Sequence, residues 1–347
     1  MVLKVDQPSV VSCSGRLHSP GLRQRLSDGS ASLQKQVRLF CYHELPDWCK
    51  GNEYILRHYR ADWPLTRTIL SVFEVHNETL NIWTHLLGFI LFAWLTYIAV
   101  LEHPGFASTS SGAQSIVTTQ QAYNLPPDLS TDLPGPFPGL FSHSSVPRWP
   151  LFVFLWGAMV CLLTSASCHW FCCHCQTTNS IVWKLDYLAI AGLVCTSFFP
   201  PVYYAFMCEP VWRNMYLSAI VILSLATGVI SLFPKFNHPT YQPLRAGVFS
   251  GMALSGIVPC LHKAAFLHPE PIAYFTTAAE LAMGFVYLIG AVVYATKVPE
   301  KWLPGRFDII GHSHQILHVL VVVGACIHYN TAWAYVTWRE QSSCVPK

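Results

Sequence analysis

Long apolar runs separated by short polar connections dominate this chain. The runs cover about 80–101, 150–171, 185–206, 212–233, 246–264, 274–296 and 312–335. A helix needs roughly 20 mostly apolar residues to cross a bilayer, so each run predicts a spanning helix. The fifth and seventh are the least hydropathic. Pro200 and Pro201 interrupt the third run and Pro259 the fifth. A helix bundle tolerates such breaks because neighbouring elements re-satisfy the freed backbone groups. The expected fold is an all-α membrane protein, a seven-transmembrane-helix bundle over 79–336.

The flanking segments read differently. Residues 1–36 are rich in serine and charge and predict a disordered tail. Residues 37–78 place Trp48, Tyr54, Tyr59 and Trp63 among charges. They predict a juxtamembrane segment, either a short amphipathic helix on the membrane face or a stretch, Tyr54 to Trp63, packed under the bundle. No signal-peptide pattern precedes the first run. Residues 102–149 form a long loop rich in serine, proline and glycine, and 337–347 a short tail.

Composition agrees with a membrane protein: 52% of the 347 residues are hydrophobic and only 11% charged, against roughly 25% charged in soluble domains. Of the 21 lysines and arginines, all but Arg148, Arg213, Lys263, Arg339 and Lys347 fall on the side that holds the N-terminal segment. Positive charge favours the cytoplasm. The N-terminus is therefore expected inside and the C-terminus outside or in a lumen. The net charge of +3 is a topology signal and gives no reason to expect a nucleic-acid partner. There is no phosphate-binding glycine loop, nucleotide fingerprint or internal repeat. The 13 cysteines are an odd number and do not read as a secreted disulfide framework; Cys208 and Cys344 share the outer side and can pair. Asn77-Glu78-Thr79 fits a glycosylation sequon, but it falls on the inner side and is expected to be unused.

Candidate chemistry sits at the run edges. Ser165-x-x-x-His169 and His314-x-x-x-His318 each place two side chains on one helix face, one turn apart. With the predicted topology, the inner ends of spans two, three and seven bring His169, His314, His318 and Asp186 to one layer. Ionisable groups at membrane depth usually mark a site, and three histidines with one open position make a catalytic zinc set. Asp186 is a candidate to move a proton, and Ser165 to hydrogen-bond a water or an oxyanion. Arg245 is a candidate partner for a product carboxylate, with Tyr187 adding a hydroxyl. Glu78, Asn81 and His85 form one stripe at the inner end of span one, as a second shell or a clamp to a neighbouring helix. The bland readings are an Asp186–Lys184 anchor, an Arg245 that only sets topology, and a metal that only ties helices together. His174, among Cys172, Cys173 and Cys175, is a rival ligand. Glu280 and His328 are the main polar residues toward the outer half.

The chain resembles the adiponectin receptor and progestin receptor family, most closely its plant-type heptahelical transmembrane proteins. The blocks that carry the resemblance run in order from Cys41 to Tyr335. They are Glu78-x-x-Asn81-x-x-x-His85, Ser165-x-x-x-His169, Lys184-Leu185-Asp186-Tyr187 and Arg245-Ala246-Gly247-Val248-Phe249. Leu254-Ser255-Gly256, Val258-Pro259, Pro299-Glu300, Pro304-Gly305-Arg306-Phe307-Asp308 and Ser313-His314-Gln315-Ile316-Leu317-His318 follow. The resemblance implies seven helices with a cytoplasmic N-terminus and zinc held by His169 rather than His174, with His314 and His318. It implies Asp186 holding a water there with Ser165 nearby. It further implies signalling in hormone, lipid or stress responses through an unknown protein or hormone ligand, with ceramidase-type hydrolysis of a lipid amide. The lipid partner would be a ceramide-like molecule or a free fatty acid. A plasma-membrane location is favoured, with endoplasmic reticulum or Golgi as alternatives. A receptor or scaffold with structural zinc is the second reading, and a channel or transporter the last. An ordinary G-protein-coupled receptor is disfavoured, because span three lacks an Asp-Arg-Tyr-like end and span seven an Asn-Pro-x-x-Tyr-like turn.

Overall fold

A computed structural model of the chain describes residues 38–102, 146–233, 238–267, 270–342 and 344. The expected disordered tail, and nearly all of the expected long loop, lie outside the described residues. Among the described residues, seven helical spans are long and apolar enough to cross a membrane. The helices in chain order are α1 (Leu65–Leu70), α2 (Thr79–Leu101), α3 (Trp149–Phe171), α4 (Gln176–Ser197), α5 (Phe199–Ala205), α6 (Pro210–Ser231), α7 (Gln242–Leu254), α8 (Ile257–Phe266), α9 (Pro271–Thr296) and α10 (Ser313–Gln341). Span three is α4 with α5, and span five is α7 with α8.

The breaks in spans three and five follow from proline chemistry. A proline has no N–H to donate and its ring crowds the carbonyl four residues back. Pro200 and Pro201 therefore end α4 at Ser197, and Pro259 acts in the same way on Ser255, after which the chain restarts as α8. Span three begins at Gln176 rather than near 185. Its first five residues, Gln176 to Ser180, are all polar yet helical. Asn179 there donates to the Cys172 carbonyl at 2.9 Å, tying the helix start to the end of α3. Asp186 consequently lies about 15 Å along the helix from its start, within the bundle.

Consecutive spans pack against each other, and span seven closes the ring against span one. The bundle core is formed by Phe92, Leu151, Phe154, Leu155, Leu162 and Leu193 with Ala325 and Ala332. Close approach depends on small residues where helices cross. At Gly157 an added Cβ would stand 2.0 Å from the Thr196 hydroxyl, and at Gly324 it would stand 2.5 Å from the Tyr287 ring. The outer faces of the bundle stay apolar, with Trp94, Trp156, Ile222 and Phe285 well exposed, as lipid contact requires.

The segment before span one is a folded cap and not a single amphipathic helix. It contains short 3-10 turns at Tyr42–Glu44, Asp47–Cys49 and Ser71–Phe73, the helix α1, and a bridge between Phe40 and Tyr59. Leu45, Ile55, Tyr59 and Ala61 give it a small core, and Trp63 packs with Leu39 and Cys173. The cap closes one end of the bundle, here called the proximal end. Long-range hydrogen bonds fix it there. The Leu56 N–H donates to Asp308 at 2.7 Å, Asn52 to Glu300 at 3.0 Å, and the Gly305 N–H to the Tyr54 carbonyl at 2.9 Å. A helix would satisfy these groups locally, so the tertiary partners outweigh the amphipathic pattern. Asn77 of the sequon is buried.

Cys208 and Cys344 form a disulfide at the opposite, distal end. Lys263, counted among the outer-side charges in the sequence, is almost fully buried within the bundle toward its distal end.

Candidate metal centre

Two helices supply the centre. His169 occupies the last turn of α3, and His314 and His318 the first two turns of α10. One ring nitrogen from each lies within 4.8 Å of the others, so this trio is positioned to bind a metal ion. The His169 and His314 Nε2 atoms are 3.1 Å apart. Tetrahedral ligands at about 2.0–2.1 Å from a zinc ion stand about 3.3 Å from each other, so the separation of this pair suits a cation of that size. The three ring centroids lie 4.7–4.8 Å apart.

Two of the three ring orientations, those of His169 and His318, are set from span one. His169 Nδ1 meets the Glu78 carboxylate at 2.8 Å, the carboxylate–histidine arrangement that turns Nε2 toward a metal. His318 Nδ1 donates to the Asn81 carbonyl at 3.1 Å, and the Asn81 amide donates to Glu78 at 2.5 Å. His85 stacks flat on His318, with centroids 3.7 Å apart and planes 6° apart. The Glu78, Asn81 and His85 stripe thus meets the trio.

The cap, through Arg60, and the connection before α10, through Glu300, add a further layer of support. Arg60 donates to the His169 carbonyl at 2.8 Å, the Trp170 carbonyl at 3.2 Å and the Ser71 hydroxyl. Glu300 accepts from the Ser313 N–H at 2.7 Å and from its hydroxyl, fixing the start of the helix that carries His314. Such capping matters because the first N–H groups of a helix have no internal partner. Arg60 and Glu300 therefore hold the two helix ends that carry the histidine trio.

Asp186 and Ser165 lie beside the trio. Ser165 and Asp186 line the same end of one cavity, and Asp186 Oδ1 is buried with no hydrogen-bond partner among the described residues. No ion pair joins it to Lys184 among those residues. A buried carboxylate oxygen without a partner is costly, so this atom faces a place where a polar species belongs. His174 is not in the trio. Its Nδ1 bonds the Trp63 carbonyl at 2.8 Å, a cap contact that explains its position without a metal. Cys173 is buried near Thr68, 3.9 Å from its hydroxyl, and Cys172 and Cys175 also fall outside the trio.

A cavity of about 480 Å³ opens from the trio and runs through the bundle. Its walls are predominantly apolar, and His314, His318, Asp186, Ser165, Tyr187 and Arg245 line its proximal end. Arg245 donates to the His238 carbonyl at 3.0 Å, and its guanidinium lies 5.3 Å from the Tyr187 ring centre. Tyr294, which sequence patterns did not single out, also lines this end, its ring 5.2 Å from that of His314. The distal end contains a second unforeseen group. Lys263 donates to Glu280 at 2.7 Å, Tyr335 at 2.8 Å and Thr276 at 3.1 Å. A lysine inside an otherwise apolar run was the available signal.

Comparison with known proteins agrees with this architecture. Residues 73–329 match the family described as haemolysin-III related. The chain is 41% identical to heptahelical transmembrane protein 4 of Arabidopsis thaliana, over 89% of this chain and 91% of that one. It is 39% identical to heptahelical transmembrane protein ADIPOR3 of Oryza sativa subsp. japonica, over 93% and 94%. It is 35% identical to the adiponectin receptor protein of Drosophila melanogaster, over 83% of this chain and 57% of that one. The match to the family spans the trio, its supporting stripe and the cavity, and the chain belongs to the haemolysin-III-related family as an adiponectin receptor-like heptahelical membrane protein.

Proposed function

We propose that this protein is a signalling receptor whose proximal centre holds zinc and cleaves an amide-linked lipid, releasing a fatty acid. The observation that carries the reading is the junction of three convergent histidines, an unpartnered buried Asp186 oxygen and a long apolar cavity. His169, His314 and His318 would hold the zinc, which when bound would supply Lewis acidity toward a carbonyl. The Asp186 carboxylate would take a proton from the attacking water and return it to the leaving amine. Ser165 would keep that carboxylate oriented. Arg245 and Tyr187 would receive the acid product, since a guanidinium and a phenol are strong donors to a carboxylate. The apolar walls would hold the acyl chain and exclude bulk water. With the cap on the cytoplasmic side, the product would be released close to intracellular effectors.

A second reading has its own support. The trio joins spans two and seven, and its supporting bonds come from span one, so a metal there would also serve as a structural clasp for a ligand-sensing receptor. The two readings separate on Asp186→Asn. If hydrolysis is the function, the purified variant keeps its zinc and releases no fatty acid from a ceramide panel that wild type cleaves. Wild type with zinc but no release from any ceramide would favour the clasp.

A further inference from the structure

The distal half of the cavity is not simply a place for a hydrocarbon tail. His328 lines it, is 2% exposed, and neither of its ring nitrogens has a hydrogen-bond partner among the described residues. The Ser197 carbonyl is close to the ring but outside hydrogen-bond geometry. The ring is held edge-on by Phe154, with centroids 4.5 Å apart. Buried polar groups in native proteins nearly always have a partner, so the His328 nitrogens point to a species in the cavity. Lys263 and Glu280 line the same half.

We propose that His328 and the Lys263–Glu280 pair form a second polar subsite, which receives a hydroxyl group carried partway along a long-chain lipid. This inference rests on the cavity being a lipid site. The chemistry selects the group. Lys263 uses its three donors on Glu280, Tyr335 and Thr276, and each Glu280 oxygen already accepts one bond, from Lys263 or from Tyr335. The pair is close to neutral and offers only spare carboxylate lone pairs. A ligand carboxylate would be repelled by Glu280 and an ammonium by Lys263. A neutral imidazole has one donor and one acceptor, the complement of a hydroxyl. The geometry sets the position. His328 follows His318 by ten residues on α10, about 15 Å along the helix, and the wall between them is apolar, with Leu317, Val321 and Tyr287. A lipid with its carbonyl at the trio would place a hydroxyl at His328 only if that hydroxyl lay beyond the middle of its chain.

The test uses the purified full chain in detergent and three probes: stearic acid, stearic acid hydroxylated about two-thirds of the way along, and stearic acid hydroxylated next to the carboxyl. One added hydrogen bond in a buried site predicts roughly tenfold tighter binding of the distally hydroxylated acid alone. His328→Phe should abolish that preference, the distally hydroxylated acid then binding no more tightly than stearic acid to the same variant, and His328→Gln, which keeps a donor and an acceptor, should retain part of it. Equal affinity of the three acids in wild type would overturn the inference and leave His328 to an ordered water. Binding of none of them would overturn the lipid reading of the cavity, and this subsite with it.

Discussion

Two of the three candidate ligands, His169 and His318, are each set by a partner one bond further out, and these partners make testable claims. Glu78 fixes the tautomer and rotation of His169. Such outer contacts are worth roughly 10- to 100-fold in metal affinity. Glu78→Gln should weaken zinc binding by that factor while the helical content and unfolding midpoint of the zinc-free protein stay unchanged. Equal affinity would remove Glu78 from the centre. His76, in the cap, is a second case. Its Nε2 donates to the Ser71 carbonyl at 3.1 Å and its Nδ1 accepts the Glu78 N–H at 3.1 Å, an arrangement that needs the neutral ring. Burial, with Arg60 nearby and Glu78 opposing, holds its pKa well below the usual imidazole value. The unfolded cap then binds more protons than the folded one. The stability His76 contributes is complete above about pH 6.5 and falls by up to about 1.4 kcal/mol per pH unit below it. Hydrogen exchange of the Asn77 amide, which donates to the His58 carbonyl, should speed up relative to its intrinsic rate as pH falls from about 7.5 to about 5.5. A flat ratio would mean the ring is already protonated or the cap is held elsewhere. His169, His314 and His318 were legible in the sequence because four-residue spacing fixes a helix face. His174 stood as a rival to the preferred His169, and its own role could not be read, since a bond to Trp63 across 111 residues leaves no local pattern.

Among the elements, the spans were the most legible part, because an apolar run of membrane length has few other uses. Their ends were less so. The start of span three extends through polar residues, and Lys263 sits at the end of an apolar run where hydropathy alone cannot say whether it leaves the bundle. The cap was the least legible element. Residues 38–78 look amphipathic locally, but they are held by Asp308 and Glu300, some 250 residues away in the chain. Helix proximity can be tested at Gly157. A methyl group there would stand 2.0 Å from the Thr196 hydroxyl, and overpacking of this kind typically costs about 1–3 kcal/mol. Gly157→Ala should lower the unfolding midpoint in detergent, and adding Thr196→Gly should recover part of it. A midpoint unaffected by Gly157→Ala would mean that α3 and α4 lie further apart.

For the whole molecule, the described residues form a ring of seven spans around a cavity with a polar group toward each end, and residues 38–78 cap the proximal one. The direction in which this asymmetric body crosses the membrane rests on the distribution of lysine and arginine. With the cap in the cytoplasm, a tag before residue 38 should be reached by antibody only after cells are permeabilised. A tag after residue 344 should be reached without permeabilisation at the cell surface. The opposite pattern would place the centre on the outer side and would leave the charge distribution without its usual cause.

The central claim is that His169, His314 and His318 hold a zinc ion, and the direct test is metal content. Wild type and His314→Ala, purified in the same detergent without added metal, would be compared by elemental analysis, with circular dichroism to verify folding. The account predicts about one zinc per chain in wild type and loss of most of it in the variant. Well-folded wild type that contains no zinc and takes none up would contradict it, leaving the three histidines as a hydrogen-bonded clasp between spans two and seven.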